Sequence, residues 1–205
     1  DSYTVINGDI NGDGTPDVQL VGTFGVDGIV INSPYNVIKG LVFSNFLFQN
    51  PTQGIGITIS GSNAHHNTII GNYIGTDLTG TGRNGSIGLL INQGAHANLI
   101  GDGTGFGRNI ISGNQNSGIS ISDAGSDSNK IFGNYIGADV SGLLPVFNGE
   151  GITILFGPQF TEIGDGTFGG RNIISGNYNN TSGIHIEMAS NNYVRGNFIG
   201  LNKNG

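Results

Sequence analysis

Six times along the chain a glycine precedes an apolar residue, a variable residue and a second apolar residue. The runs are Gly28-Ile-Val-Ile, Gly56-Ile-Thr-Ile, Gly88-Leu-Leu-Ile, Gly118-Ile-Ser-Ile, Gly151-Ile-Thr-Ile and Gly183-Ile-His-Ile. Alternation with period two predicts a short strand with one buried face in each. A second apolar column recurs at Ile38, Ile69, Ile100, Ile131, Ile163 and Val194, and a third at Phe43, Ile74, Ile111, Ile136, Ile174 and Ile199. Each unit therefore carries three short strands separated by Gly, Asn and Ser turns. Such a unit suits a solenoid in which it forms one coil and like residues stack about 4.8 Å apart.

Longer phrases repeat with the same frame. Asn129-Lys-Ile-Phe-Gly-Asn-Tyr-Ile-Gly-Ala-Asp139 echoes Asn67-Thr-Ile-Ile-Gly-Asn-Tyr-Ile-Gly-Thr-Asp77, 62 residues earlier, and Asn192-Tyr-Val-Arg-Gly-Asn-Phe-Ile-Gly-Leu-Asn202, 63 later. Between them Ile100–Asn114 is echoed by Ile163–Asn177, both ending Arg-Asn-Ile-Ile-Ser-Gly-Asn. Two alternating units thus tile most of the chain, and a fixed period decides the architecture before any local reading. Asn36, Asn67, Asn98, Asn129 and Asn192 share one turn position, with Thr161 the single substitute. Asn72, Asn109, Asn134, Asn172 and Asn197 share another, which opens at Leu41. Stacked amides bond from rung to rung, so both columns predict asparagine ladders.

These phrases resemble right-handed parallel β-helix proteins of the pectate-lyase-like superfamily. More narrowly, they are similar to the NYIGTD and RNIISGN repeats of long bacterial secreted and surface proteins. The resemblance spans nearly the whole chain. It implies an all-β, right-handed parallel β-helix of about six coils with three short strands each. Residues 1–205 form one domain, with a partial coil over 1–25 and repeated coils over 26–205. It leaves activity open, because the superfamily includes lyases, hydrolases, adhesins and structural stalks.

Composition narrows the function. Charged residues are only 10% of the chain and the net charge is −7, with the seven basic residues scattered, so there is no phosphate-binding footprint and nucleic acid is not an expected partner. No apolar run approaches membrane-spanning length, so no insertion is expected. The 39 glycines lack a collagen-like period, and the absence of cysteine removes any disulfide framework. The segment Leu41–Phe48 is the richest apolar stretch, with Phe43 in the core column and Phe46 and Phe48 expected to plug the next turn. Extra length falls at Thr76–Ser86 and Ala138–Glu150 on one edge, and at Asp102–Gly107 and Asp165–Gly170 on another.

One loop carries metal-ligand spacing. In Asp9-Ile-Asn-Gly-Asp-Gly-Thr-Pro-Asp17 the side chains of Asp9, Asn11 and Asp13 occupy alternate positions, Gly14 marks the sharp turn, Thr15 offers a carbonyl and Asp17 follows. Alternating hard oxygen donors suit Ca²⁺, here in a structural role. Position 12 is Leu20, so the bidentate glutamate of an EF-hand is missing. The same loop without metal reads as an Asx-rich turn.

Catalytic signals are sparse. A lyase of the superfamily needs an Arg or Lys base and a hydrolase needs paired outward carboxylates. The outward column of the first strands reads Val30, Thr58, Leu90, Ser120, Thr153 and His185, with neither. Arg108 and Arg171 recur beside Asp102 and Asp165, as loop-bracing ion pairs would. His65, His96 and Asp127 each sit two residues before a ladder asparagine and should stack in three successive coils, where the favoured reading is solvated turn residues rather than metal ligands. Asn84, Asn179 and Asn180 open glycosylation sequons.

The reading that results is a non-catalytic structural β-helix, extracellular or at the cell surface, acting as a head-to-tail filament subunit or a stalk or surface-layer segment. A carbohydrate-active β-helix that binds or cleaves polysaccharide is the alternative. End-to-end self-association is the expected partnership, because the chain opens inside a coil at Asp1 and leaves off at Gly205 where a first strand would begin.

Overall fold

The computed structural model describes residues 3–47, 53–80, 85–178 and 181–205. Phe48, Arg83 and the sequon asparagines Asn84, Asn179 and Asn180 lie outside them. Every strand pairs in parallel, and three sheets wind together as a β-solenoid. Sheet I stacks the six first strands, from Ile29–Ile31 through Ser117–Ser122 to Ile184–Glu187. Sheet II stacks seven, from Val5–Asn7 to Tyr193–Val194, and sheet III stacks seven, from Val18–Val21 to Phe198–Ile199.

The register follows the three apolar columns. Ile57, Leu89, Ile119 and Ile152 pair in sheet I, Ile38, Ile69, Ile100, Ile131 and Ile163 in sheet II, and Phe43, Ile74, Ile111, Ile136 and Ile174 in sheet III. These side chains are buried and form one continuous core with Phe46. The glycine before each first strand has a steric cause. A Cβ on Gly28, Gly88 or Gly151 would lie 2.3, 2.6 or 2.3 Å from the carbonyl oxygen of the glycine one coil on.

Both asparagine ladders form. Asn98 donates from its backbone N–H and its Nδ2 to Asn129 Oδ1, at 3.0 and 3.1 Å, and Asn36 and Asn67 do the same to the next rung. The second ladder runs unbroken from Asn72 to Asn197 and receives the Leu41 N–H at 3.0 Å. At Thr161 the first ladder breaks, and the Thr161 hydroxyl is buried with no partner among the described residues. The residue before each first-ladder position (Tyr35, His66, Ala97, Ser128, Phe160, Asn191) holds a left-handed φ of 54–60°. A column of non-glycine residues in this region is uncommon.

Two features were not anticipated. A third ladder links Asn114 to Asn148, whose Oδ1 accepts both the N–H and Nδ2 of Asn114 at 3.0 Å. The outer face of sheet III is also buried, where Ile110, Tyr135, Ala138 and Ile173 cluster with Tyr73 and Phe198.

Candidate functional site

The loops emerge from two edges and lean on one another. The loops 102–107 and 165–170 belong to coils two apart and meet over the short turn between them. A Cβ on Gly133 would lie 2.8 Å from Gly103 Cα and 2.9 Å from the Gly169 carbonyl. The Asp9–Asp17 loop rests on the Phe106 ring, which approaches where a Gly14 side chain would begin.

Within that loop the proposed ligands organise the backbone. Asp9 accepts from the N–H of Gly12 at 2.7 Å and of Gly14 at 3.0 Å. Asp17 accepts from the N–H of Ile10 and Asn11 at 2.7 and 3.2 Å, and Asn11 Oδ1 accepts from the Asp13 N–H at 2.9 Å. Asp13 accepts from the Thr15 hydroxyl and from its N–H. The hydroxyl bond, then the amide bond, hold the Asp13 carboxyl below the usual range. The all-oxygen donor set matches the chemistry of a hard cation. Yet among the described residues no three acidic or histidine side chains converge on one point. The same Asp-x-Thr/Ser turn recurs at Asp77, Asp102, Asp139 and Asp165, so this local bonding alone does not mark a metal.

The outer face of sheet I holds a groove of about 730 Å³. Val30, Leu90 and Phe156 supply apolar walls, and Thr58, Ser120 and Asn92 supply polar ones. Thr58 is buried with its hydroxyl unpartnered, and Asn92 Oδ1 is likewise without a partner among the described residues. Toward the far end of the face His185 sits between two carboxylates, 3.4 Å from Glu150 and 3.4 Å from Glu187. The outward column itself contains no carboxylate. These glutamates come from flanking positions, one coil back and two residues on, which column reading passes over.

Arg108 and Arg171 do not brace Asp102 and Asp165. Arg108 donates from Nε to the Gly133 carbonyl at 3.1 Å and lies 4.2 Å from the Tyr135 ring centre; Arg171 repeats this with Gly196 at 3.0 Å and Phe198 at 4.2 Å. Sheet III presents a ring directly beneath each guanidinium. Thr104 and Thr167 meanwhile occupy Asp102 and Asp165 through their N–H and hydroxyl groups.

On the turn between sheets I and II, the His65 and His96 rings stack with centres 5.0 Å apart, as their shared column predicts. Asp127 instead accepts the Gln159 N–H at 2.7 Å from the next coil. The close partner of His65 is its neighbour His66, with the two Nδ1 atoms 2.9 Å apart. Burial, then the adjacent His96 and His66, hold the His65 imidazole below its ordinary value.

Searches for a matching family model, a similar curated protein and a similar solved structure each returned no match.

Proposed function

We propose that the chain is a non-catalytic structural β-solenoid, extracellular or at the cell surface, acting as a head-to-tail filament subunit or as a stalk or surface-layer segment. The single observation that supports this is the uninterrupted stack itself. Three parallel sheets share one continuous core of repeated Ile columns, and asparagine ladders join coil to coil along it. In such a stack each coil is held by its neighbours, and length is added coil by coil.

In this reading the Asp9–Asp17 loop binds Ca²⁺ as a brace, and the likeness to the pectate-lyase-like superfamily lies in the architecture. Electron microscopy of the concentrated chain tests the filament form. Fibres with an axial repeat of roughly 30 Å, six coils at about 4.8 Å each, are expected. A strictly monomeric species without fibres eliminates the filament and leaves the stalk.

A second reading, polysaccharide binding along sheet I, is favoured by the unpartnered Thr58 hydroxyl and Asn92 amide oxygen in a groove with apolar walls. Affinity electrophoresis against acidic polysaccharides, with ultraviolet detection of unsaturated products, tests it. Unretarded migration in every gel and no product would remove it.

A further inference from the structure

The His65–His66 pair is engaged by neither reading. Its two Nδ1 atoms face each other at 2.9 Å, and both rings pack on Tyr35 at centre distances of 5.4 and 5.3 Å. His65 is partly exposed and His66 exposed, so the pair opens to solvent. His96 stacks on His65 from the next coil, and its own Nδ1 lies 3.0 Å from the Gly94 carbonyl.

We propose that His65 and His66 form a surface site for a divalent transition-metal ion, Cu²⁺ before Zn²⁺, bound through the two Nδ1 atoms in cis. The separation is that of the hydrogen bond between the rings, and it is also close to the bite of a right-angled metal-bound pair. Imidazole nitrogens bind such ions at about 2.0–2.1 Å, so two of them at a right angle stand about 2.9 Å apart, whereas tetrahedral sites spread them to about 3.3 Å. Right-angled nitrogen pairs are offered by square-planar and tetragonal ions, Cu²⁺ and Ni²⁺, and Cu²⁺ leads the divalent affinity order. In the metal-free pair one proton must lie between the two nitrogens. On binding, that proton moves to Nε2 of the same ring. Both neutral imidazoles then present a lone pair at Nδ1, and no net proton is released.

The protein supplies two ligands and water completes the coordination, because no third histidine or carboxylate converges there among the described residues. His96 is not a ligand in this site. Its contact with Gly94 keeps its ring stacked over His65, and its removal should leave the metal in place.

The test is equilibrium dialysis of the whole chain against Cu²⁺ and Zn²⁺, with electron paramagnetic resonance of the copper form. The chain has four histidines, so variants can assign the nitrogens. One tight Cu²⁺ with superhyperfine splitting from two imidazole nitrogens is expected, with Zn²⁺ at least tenfold weaker. His65→Ala and His66→Ala should each abolish the two-nitrogen signal, and His96→Ala should keep it. Alanine is tolerated at the left-handed His66 position, since Ala97 holds the equivalent place with φ 54°. His65→Gln gives a second variant of similar size, checked for folding by circular dichroism. Equal Cu²⁺ binding by the parent and by His65→Ala/His66→Ala overturns the proposal. So does loss of the signal in His96→Ala, or Zn²⁺ binding as tight as Cu²⁺.

Discussion

Replacing Thr161 with asparagine should stabilise the chain. In an intact rung such as Asn98 to Asn129, the amide oxygen accepts two bonds from the rung below, at 3.0 and 3.1 Å. Above Asn129 the equivalent place belongs to Thr161, whose buried hydroxyl accepts neither. Thr161 still donates its N–H to Asn192 Oδ1 at 2.8 Å, so the backbone is already in ladder register. Thr161→Asn would give the Asn129 N–H an acceptor worth about 0.5–1.5 kcal/mol, while Asn129 Nδ2, already bonded to the Ala95 and Ser126 carbonyls, would only exchange partners; it would also remove an unsatisfied buried hydroxyl that costs about 1–3 kcal/mol. Ordering the new side chain and fitting its extra volume offset part of that gain. A net gain of about 2 kcal/mol raises the melting midpoint by about 4–8 °C in a chain of this size. Asn98→Thr makes the reverse change and should lower the midpoint by a similar amount. Thermal denaturation followed by far-ultraviolet circular dichroism reads both. An unchanged or lower midpoint for Thr161→Asn, with little loss in Asn98→Thr, would refute the ladder as a source of stability.

Ile131→Asp should abolish the cooperative melt, because it places an unpaired carboxylate at a fully buried position in the sheet II column; a parent-like melt would show the register to be wrong. Acid should destabilise the fold through its Asp turns. At Asp139 burial alone would raise the carboxyl pKa, but bonds from Leu144, Ser141 and Leu143 together hold it below the ordinary value, and hydrogen bonds from Thr167 do so at Asp165. Carboxyls depressed in the folded state contribute stability above their unfolded pKa of about 3.9, and that stability is lost as pH falls through the folded values. The melting midpoint should therefore drop below about pH 4, less steeply in Asp139→Asn; equal slopes would remove Asp139 from that account. Chelation should lower the melting temperature of the parent and leave Asp13→Ala unaffected, read by calorimetry with and without added Ca²⁺. Identical parent melts in both buffers would eliminate the calcium brace.

What could be read from the sequence was whatever repeats at fixed spacing. The sheet II Ile column and the first asparagine column recur every 31–32 residues, and from Asn72 on the third column and the second asparagine column recur every 62–63, so period assigned their register. Asn114 and Asn148 escaped because they lie in the turn after the third strand, where insertions such as Ala138–Glu150 shift the spacing. The buried outer face of sheet III escaped for a related reason. Its central strands are only two residues long, and alternation over Tyr135–Ile136 gives no sign that a loop covers the outward residue. Arg108 and Asp102 are close in sequence, and charge alone suggested a pair. The ring that engages Arg108 comes from Tyr135, in the next coil. The groove on sheet I needed the structure too, since Thr58 and Asn92 meet only through the stacking of coils.

The chain is a nearest-neighbour stack, and the proposed structural role rests on the length that stacking gives. In such a stack, stability is a sum over repeats and their interfaces. Inserting a second copy of residues 88–150 after Glu150 adds one full pair of alternating coils. Small-angle X-ray scattering should show the particle lengthened by about 10 Å at unchanged cross-section, two rungs at about 4.8 Å, with a melting midpoint no lower than the parent's. A particle of unchanged length, or one that scatters as an unfolded chain, would contradict the account.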